Sequence, residues 1–388
     1  MGLPAFVLNQ VEEMGFTIPT PIQGQAIPIA LDGRDVVGIA QTGTGKTMAF
    51  ALPMASVLER GKAGLVLAPT RELAAQIEED FRKLGARTAL LIGGAPMGRQ
   101  IQQLRNRPDV IVATPGRLED HMQGRTADLR NIQVAVLDEA DRMLDMGFAP
   151  AIRRILERTP KERQTLLFSA TMPKEIADLA AGYLNDPVRI EVTVQGTPNA
   201  DVAQELIMLP QEQKHSMVED LLIEHKGSVL VFTRTRHGAR KLARDVRNYG
   251  HSAAEIHSDR TLAQRRQALH GFKTGEYRIL VATDIAARGI DVKEIGMVLN
   301  FDVPECAEDY VHRIGRTGRA GAKGRAVTLA SPNQAHEVRD IEKLLNKELP
   351  LSPLSPLPMN RPAPRAPGEG GPRRGGGRRP GGPPSGRR

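Results

Sequence analysis

The sequence predicts an α/β protein built as two tandem parallel-sheet domains with flanking helices, followed by a disordered basic C-terminal tail. Across residues 1–350, short apolar runs alternate with polar loops and helix-period segments, the pattern of a doubly wound parallel sheet. Aromatic residues are 3% of the chain and Trp is absent, which suits the aliphatic core of a sheet buried on both faces. After Pro350 the pattern stops: residues 351–388 hold ten Pro and nine Gly, with no apolar periodicity beyond Leu357. Such a segment cannot bury a core and is expected to stay disordered. The expected division is a first domain at 1–195, a linker at 196–203, a second domain at 204–350 and the tail at 351–388.

The chain has 388 residues, enough for two or three domains. One cysteine, Cys306, excludes an internal disulfide framework and a cysteine-rich metal site. No apolar run approaches the roughly 18 residues of a membrane-crossing helix, and no signal peptide precedes the first helix, so a cytoplasmic protein is expected. The formal charge is +8, but residues 351–388 contain eight arginines against one acid, Glu369, or +7, which leaves +1 for residues 1–350. Any affinity of the body for nucleic acid must therefore come from locally placed groups rather than from net charge.

Taken in order, residues 3–14 read as a short helix that Gly15-Phe16-Thr17-Ile18-Pro19-Thr20-Pro21-Ile22-Gln23 breaks. The prolines predict an extended turn presenting Gln23. A Gln amide can pair with adenine N6 and N7, and Phe16 offers a stacking face. The apolar run Asp35–Ile39 then leads into Ala40-Gln41-Thr42-Gly43-Thr44-Gly45-Lys46-Thr47, a phosphate-binding loop before a helix-forming stretch. Gly43 and Gly45 let successive N–H groups, with those of Thr42 and Thr44, converge on phosphate oxygens. Lys46 adds a charge for the β/γ-phosphates, and the Thr47 hydroxyl can ligate Mg²⁺. Ala40 stands where the strict G-x-x-x-x-G-K-[ST] pattern has its first glycine. Alone, this loop does not separate a kinase from a GTPase or a motor.

Further strands are expected at Ala63–Ala68, Thr88–Ile92, Asp109–Ala113, Val134–Leu137, Gln164–Phe168 and Val188–Val192. Their carboxyl ends carry Pro69-Thr70-Arg71-Glu72-Leu73, Gly93-Gly94, Thr114-Pro115-Gly116-Arg117 and Ser169-Ala170-Thr171. Asp138-Glu139-Ala140-Asp141 follows the run Val134–Leu137. A carboxylate at a strand end beside a phosphate loop is where Mg²⁺ is held, so Asp138 is the expected metal partner. Glu139 is placed to activate the attacking water.

From Asp201 a second series is expected, with strands Gln204–Leu209, Ser228–Phe232, Ala253–His257, Tyr277–Val281, Met297–Phe301 and Arg325–Leu329. The stretch Thr193–Asp201 reads as the hinge. No phosphate loop occurs in this half; its polar residues gather in the segment 282–291 and in His312-Arg313-Ile314-Gly315-Arg316-Thr317-Gly318-Arg319. Arginines three apart and separated by glycines suit guanidinium fingers on a transition-state phosphate. Ile341, Leu344, Leu345 and Leu349 share a helical face that reads as packing. The run Arg373-Arg374 to Arg378-Arg379 in the tail suits an RNA tether.

Taken together, these motifs resemble a DEAD-box ATP-dependent RNA helicase, most closely the bacterial RhlE type, from roughly Gly15 to Arg319. The resemblance implies two RecA-like domains that close on ATP and single-stranded RNA. It assigns Phe16 and Gln23 to adenine, Gly43 to Thr47 to the phosphates, and Asp138 and Glu139 to Mg²⁺ and hydrolysis. It places Asp291 near the ribose and makes Arg316 and Arg319 the fingers. RNA backbone contacts fall on Arg71, Gly94, Thr114, Arg117, Arg265 and Thr283, while Ser169, Thr171, Asp141 and His312 couple the two ligands. Ribosomal or RNA-decay proteins are the partners it suggests, around a monomer. Two features depart from the family. Its isolated aromatic upstream of the glutamine motif has no counterpart, since Phe6 is too close, and Leu262 fills the glutamine of the Q-x-x-R motif that ends at Arg265. An ATP-gated RNA clamp and a DNA-directed translocase are the rival readings.

Overall fold

The computed structural model describes residues 2–40, 44–192, 202–284, 295–318 and 323–359. Thr42, Gly43, Asp291 and Arg319, the hinge at 193–201 and the segment 360–388 lie outside the described residues.

The first half folds around seven parallel strands: β1 (Val36–Ile39), β2 (Ala63–Leu67), β3 (Thr88–Leu91), β4 (Val110–Ala113), β5 (Ile132–Leu137), β6 (Gln164–Ser169) and β7 (Val188–Glu191), in the order β3-β4-β2-β5-β6-β1-β7. Among the described residues the second half has six: β8 (Val202–Met208), β9 (Val229–Thr233), β10 (Ala253–Ile256), β11 (Ile279–Thr283), β12 (Met297–Asn300) and β13 (Gly324–Ala330), ordered β10-β11-β9-β12-β13-β8. Alternate residues feed opposite apolar layers. In β1, Val36 enters one layer and Val37 and Ile39 the other; in β9, Leu230 and Phe232 oppose Val229 and Val231. The central strands of each sheet are therefore buried on both faces, and each such side chain contributes about 1.5–3 kcal/mol on burial.

The helices that position the site are α1 (Ala5–Glu13), α2 (Pro21–Leu31), α3 (Lys46–Val57), α4 (Arg71–Lys83), α5 (Met97–Arg105), α6 (Pro115–Gln123), α7 (Ala140–Asp145), α8 (Ala149–Leu156), α9 (Lys174–Tyr183), α10 (Lys214–Glu224), α11 (Arg236–Asn248) and α12 (Leu262–Lys273). The helices Ala307–Ile314 and Ala335–Leu345 follow among the described residues of the second half. No helix among the described residues is long and apolar enough to cross a membrane.

The expected strands are all present, with ends moved by one or two residues. Three expectations differ more. Gln23 does not sit in an extended turn but in the first turn of α2, because Pro21 is pre-set for the first helical position and the Gln23 Oε1 accepts the Thr20 N–H at 3.0 Å. The expected linker 196–203 overlaps β8: Val202 is buried and pairs with Gly324. Residues 351–359, expected within a disordered tail, pack along the outer edge of the second sheet. Leu351 bridges Leu206, the Leu206 N–H donates to the Pro350 carbonyl at 2.8 Å, the Leu357 N–H donates to Met208 at 3.1 Å, and Met359 enters the apolar layer. An edge strand offers unpaired backbone groups to any extended segment, and proline is tolerated there.

Candidate functional site

The carboxyl ends of the first sheet lie level: Ile39 pairs with Ser169, and Leu67 with both Ala113 and Leu137. The loops that follow these strands therefore open on one edge. There α3 begins at Lys46, which is buried and donates from Nζ to the Ala40 carbonyl at 2.9 Å. Gly45 caps the helix at φ +88°, and a Cβ on it would meet Gln23 Nε2 at 2.5 Å. Only glycine fits, because the Gln23 amide donates to the Gly45 carbonyl at 3.0 Å and holds the loop against α2. Thr44 and Thr47 are half-buried, and Phe16 is 46% exposed. A helix N-terminus behind such a turn offers unpaired N–H groups and a positive dipole end to phosphate.

At the end of β5, Asp138, Glu139 and Asp141 are all buried. Glu139 holds φ +51°, a left-handed conformation that a non-glycine residue adopts at a cost of about 1–2 kcal/mol. Its N–H donates to Asp138 Oδ1 at 3.0 Å. Burial pushes the Asp138 carboxyl up to about 7, with Lys46 opposing and Glu139 adding to the rise. Burial also pushes Glu139 up, against the charges of Lys46 and Arg316. Two buried acids facing one lysine suit a divalent cation that shares its remaining ligands with phosphate. Among the described residues there is no cluster of three or more His, Cys, Asp or Glu fit to hold a metal without such help.

Asp141 faces away from this pair and ties the acid loop to β6. Its Oδ2 accepts from the N–H groups of Ala170 (3.1 Å) and Thr171 (2.9 Å) and from Thr171 Oγ1 (3.0 Å), and its own N–H donates to Ser169 Oγ at 3.2 Å. Burial would raise this carboxyl, but its coupling to His312, the Lys46 charge, the Arg142 N–H and the Thr171 hydroxyl hold it below the usual range. The sequence-predicted coupling residues Ser169, Thr171 and Asp141 are thus one network.

The second half brings His312 and Arg316 to the same place. Arg316 is 2% exposed, and its charge acts on Glu139. Burial pushes the His312 imidazole down to about 4, with Arg316 and Lys46 adding and Asp141 opposing, so it is neutral near pH 7. The neighbouring Arg313, first of the three-apart arginines read as suited to a transition-state phosphate, instead anchors this helix. It donates to both Asp284 oxygens (2.6 and 2.7 Å) and to the Asp302 carbonyl (2.7 Å), and stacks 5.0 Å over the Phe232 ring.

The expected RNA contacts divide. Arg71 opens α4 and lies against Gly94, where φ is +77° and a Cβ would come within 2.5 Å of Arg71 Nη1. Thr114 precedes α6, and Arg117 within it donates to the Ala95 carbonyl at 3.1 Å. Thr283 ends β11, in register with Thr233. Arg265 differs: its guanidinium lies 2.7 Å from Glu72 of the first half, with side chains 7% and 4% exposed, so it is committed to an ion pair rather than presented to a strand. Burial raises the Glu72 carboxyl, with Arg265 opposing. Leu262, one turn earlier on α12, packs against the apolar layer of the first half. Glu72 was legible only as part of a loop, because its partner lies in the other half of the chain.

Comparison with known proteins fits this geometry. Residues 20–179 match the DEAD/DEAH box helicase family, and residues 213–321 match the helicase conserved C-terminal domain. The chain is 43% identical to DEAD-box ATP-dependent RNA helicase 30 of Arabidopsis thaliana, over 89% of this chain and 61% of that protein. It is also 43% identical to the ATP-dependent rRNA helicase RRP3 of Debaryomyces hansenii, over 89% of this chain and 75% of that one. It thus spans about three-fifths of the length of the first of these relatives. The structure of S. cerevisiae Dbp5 bound to RNA and ADP BeF3 superposes with a TM-score of 0.80 at 29% identity, over 91% of this chain and 94% of that one. These relatives are plant and fungal and do not single out the bacterial RhlE type expected from the motifs. The chain belongs to the DEAD-box family of ATP-dependent RNA helicases.

Proposed function

We propose that the chain is an RNA-stimulated ATPase, converting ATP and water to ADP and phosphate, that couples nucleotide and RNA binding to unwinding of short duplexes and remodelling of ribonucleoproteins. The observation that carries this reading is the meeting of Lys46, Asp138 and Glu139 from one half with Arg316 and His312 from the other. In it, Phe16 and Gln23 hold adenine, and the N-terminus of α3 with Lys46 holds the phosphates. The Gln23 amide already donates to Gly45 and accepts from Thr20, which leaves one further donor and acceptor position for the base. Glu139 takes the proton of the attacking water; its raised affinity for protons favours that role. As the γ-phosphorus leaves the bridging oxygen, Arg316 and Lys46 meet the developing charge. Thr47 and Asp138 would hold Mg²⁺, which neutralises phosphate charge when bound.

RNA would lie across both halves on Arg71, Gly94, Thr114, Arg117 and Thr283, through sugars and phosphates and with little sequence preference. The bound Dbp5 structure, which this chain matches across both halves, supports that arrangement. Each ligand then favours the closed form and raises affinity for the other. We further propose the RhlE type within the family, on the motif set and the basic tail, and a cytoplasmic monomer working with ribosomal or RNA-decay proteins. ATP hydrolysis with RNA, with DNA and without either, beside strand displacement on a short duplex, tests the reading. Equal stimulation by DNA would make it a translocase, and RNA-stimulated turnover without displacement would make it a clamp.

A further inference from the structure

We propose that the solvent face of α11 is a second RNA-binding surface, which holds the phosphates of the strand after it leaves the cleft. This rests on the reading of the cleft as an RNA site. Within the 13 residues of α11 stand five cations, Arg236, Arg240, Lys241, Arg244 and Arg247, and one acid, Asp245. Ala239, Leu242, Ala243 and Val246 face the second sheet, which leaves every cation exposed on the opposite side. The acids near them are outnumbered. Asp259 is shared between Arg236 (2.7 Å) and Arg240 (3.1 Å), and Glu255 between Arg247 (3.5 Å) and Arg260. With Arg260 included, six cations meet three acids, an excess of three on a body, residues 1–350, whose net charge is +1. The Asp259 pairs are exposed, and such pairs hold their partners weakly and exchange them readily for phosphate, whereas Glu255 is buried and keeps Arg247 and Arg260 more firmly.

Position supplies the second observation. Helix α11 starts just after β9, whose last residue, Thr233, is in register with Thr283 at the expected RNA cleft. Its cations therefore begin at the lip of that cleft and run away from it. From Arg236 to Arg247 they cover about 16 Å at the helical rise, the span of about five nucleotides of one strand. No Phe, Tyr or Trp lies within 236–248, where His237 is the one ring, so the surface offers mainly charge and should show little preference for base.

The test compares two oligouridines on the full chain with ATP: the shortest that fully stimulates hydrolysis, and one about five nucleotides longer. The variant is Arg240→Ala/Lys241→Ala/Arg244→Ala, which leaves the packed face of α11 intact; its melting temperature checks the fold. Affinity for the longer strand should fall about tenfold, and its salt slope should flatten by about two to three. Binding of the short strand and saturated turnover should not change, and Arg240→Lys/Arg244→Lys should behave as the parent. Equal affinities of parent and variant for the longer strand, or an equal loss on both strands, overturns the proposal. Failure of the parent to bind the short strand would instead remove the reading of the cleft, and this proposal with it.

Discussion

Replacing Arg265 by Ala leaves the Glu72 carboxylate 4% exposed without the guanidinium now 2.7 Å away. Stranding one member of a buried pair costs about 3–5 kcal/mol. Because the partners come from different halves, the orphan can escape the cost by letting the halves part, so the penalty falls on closure and not on the stability of either half. A shift of about 3 kcal/mol corresponds to roughly a hundredfold loss in the mutual enhancement of ATP and RNA binding. The assay is RNA affinity with and without a non-hydrolysable ATP analogue, for Arg265→Ala, Glu72→Ala and the double variant. Both single changes should abolish most of the ATP-dependent gain, the double should be no worse than either, and affinity without nucleotide should be unchanged. Burial already raises the Glu72 carboxyl. In Arg265→Ala the closed form would therefore bind a proton that the open form releases, so closure should recover as pH falls and weaken again as it rises. If Arg265→Ala weakens RNA equally with and without nucleotide while Glu72→Ala does not, Arg265 is a strand contact and its pair with Glu72 does not hold the halves together.

Four further outcomes are expected. Glu139→Gln should bind ATP and RNA yet lose hydrolysis by two or more orders of magnitude, about what general-base catalysis supplies; near-normal turnover in single-turnover assays would assign the base elsewhere. Gln23→Ala should relax the preference for ATP over GTP and weaken both nucleotides, since the Gly45 carbonyl loses its 3.0 Å donor; unchanged discrimination under saturating RNA would remove the adenine assignment. Lys214 is fully buried and pushed by burial from 10.5 down to about 8, so the unfolded chain binds more protons between those values and stability should rise with pH across them, by about 3 kcal/mol in all; in thermal melts Lys214→Met should lack that rise, and parallel curves would refute it. Cutting after Met359 removes seven net positive charges and keeps the packed strap, so RNA affinity should fall and its salt dependence flatten while saturated turnover holds; identical salt slopes would free the arginines from any role in RNA binding.

Much of this was legible because it is local. The alternation of apolar runs located every strand of both sheets, and loops at strand ends located Lys46, Asp138, Glu139 and Ser169, which the structure gathers on one edge. What was illegible depends on partners distant in sequence. Nothing near Glu72 announces Arg265, nothing near Arg313 announces Asp284, and both pairs define how elements dock. Gln23 was misplaced by weighing its prolines as breakers, when Pro21 sits where a helix begins. Residues 351–359 were misread because composition cannot register an open strand edge waiting elsewhere in the fold.

That strap gives the C-terminal segment a fixed address. Met359 is anchored in the second half, at the β8 end of its sheet, whereas α11 lies over β10 and β11 at the other end. Six strands at about 4.8 Å spacing put roughly 20 Å or more between the two. Met359, from which the arginine-rich sequence continues, and the cations of α11 thus lie toward opposite ends of one sheet. In the proposed cycle, a strand held by α11 or by the segment beyond Met359 would stay with the second half as the halves part, so release from the cleft need not be release from the protein.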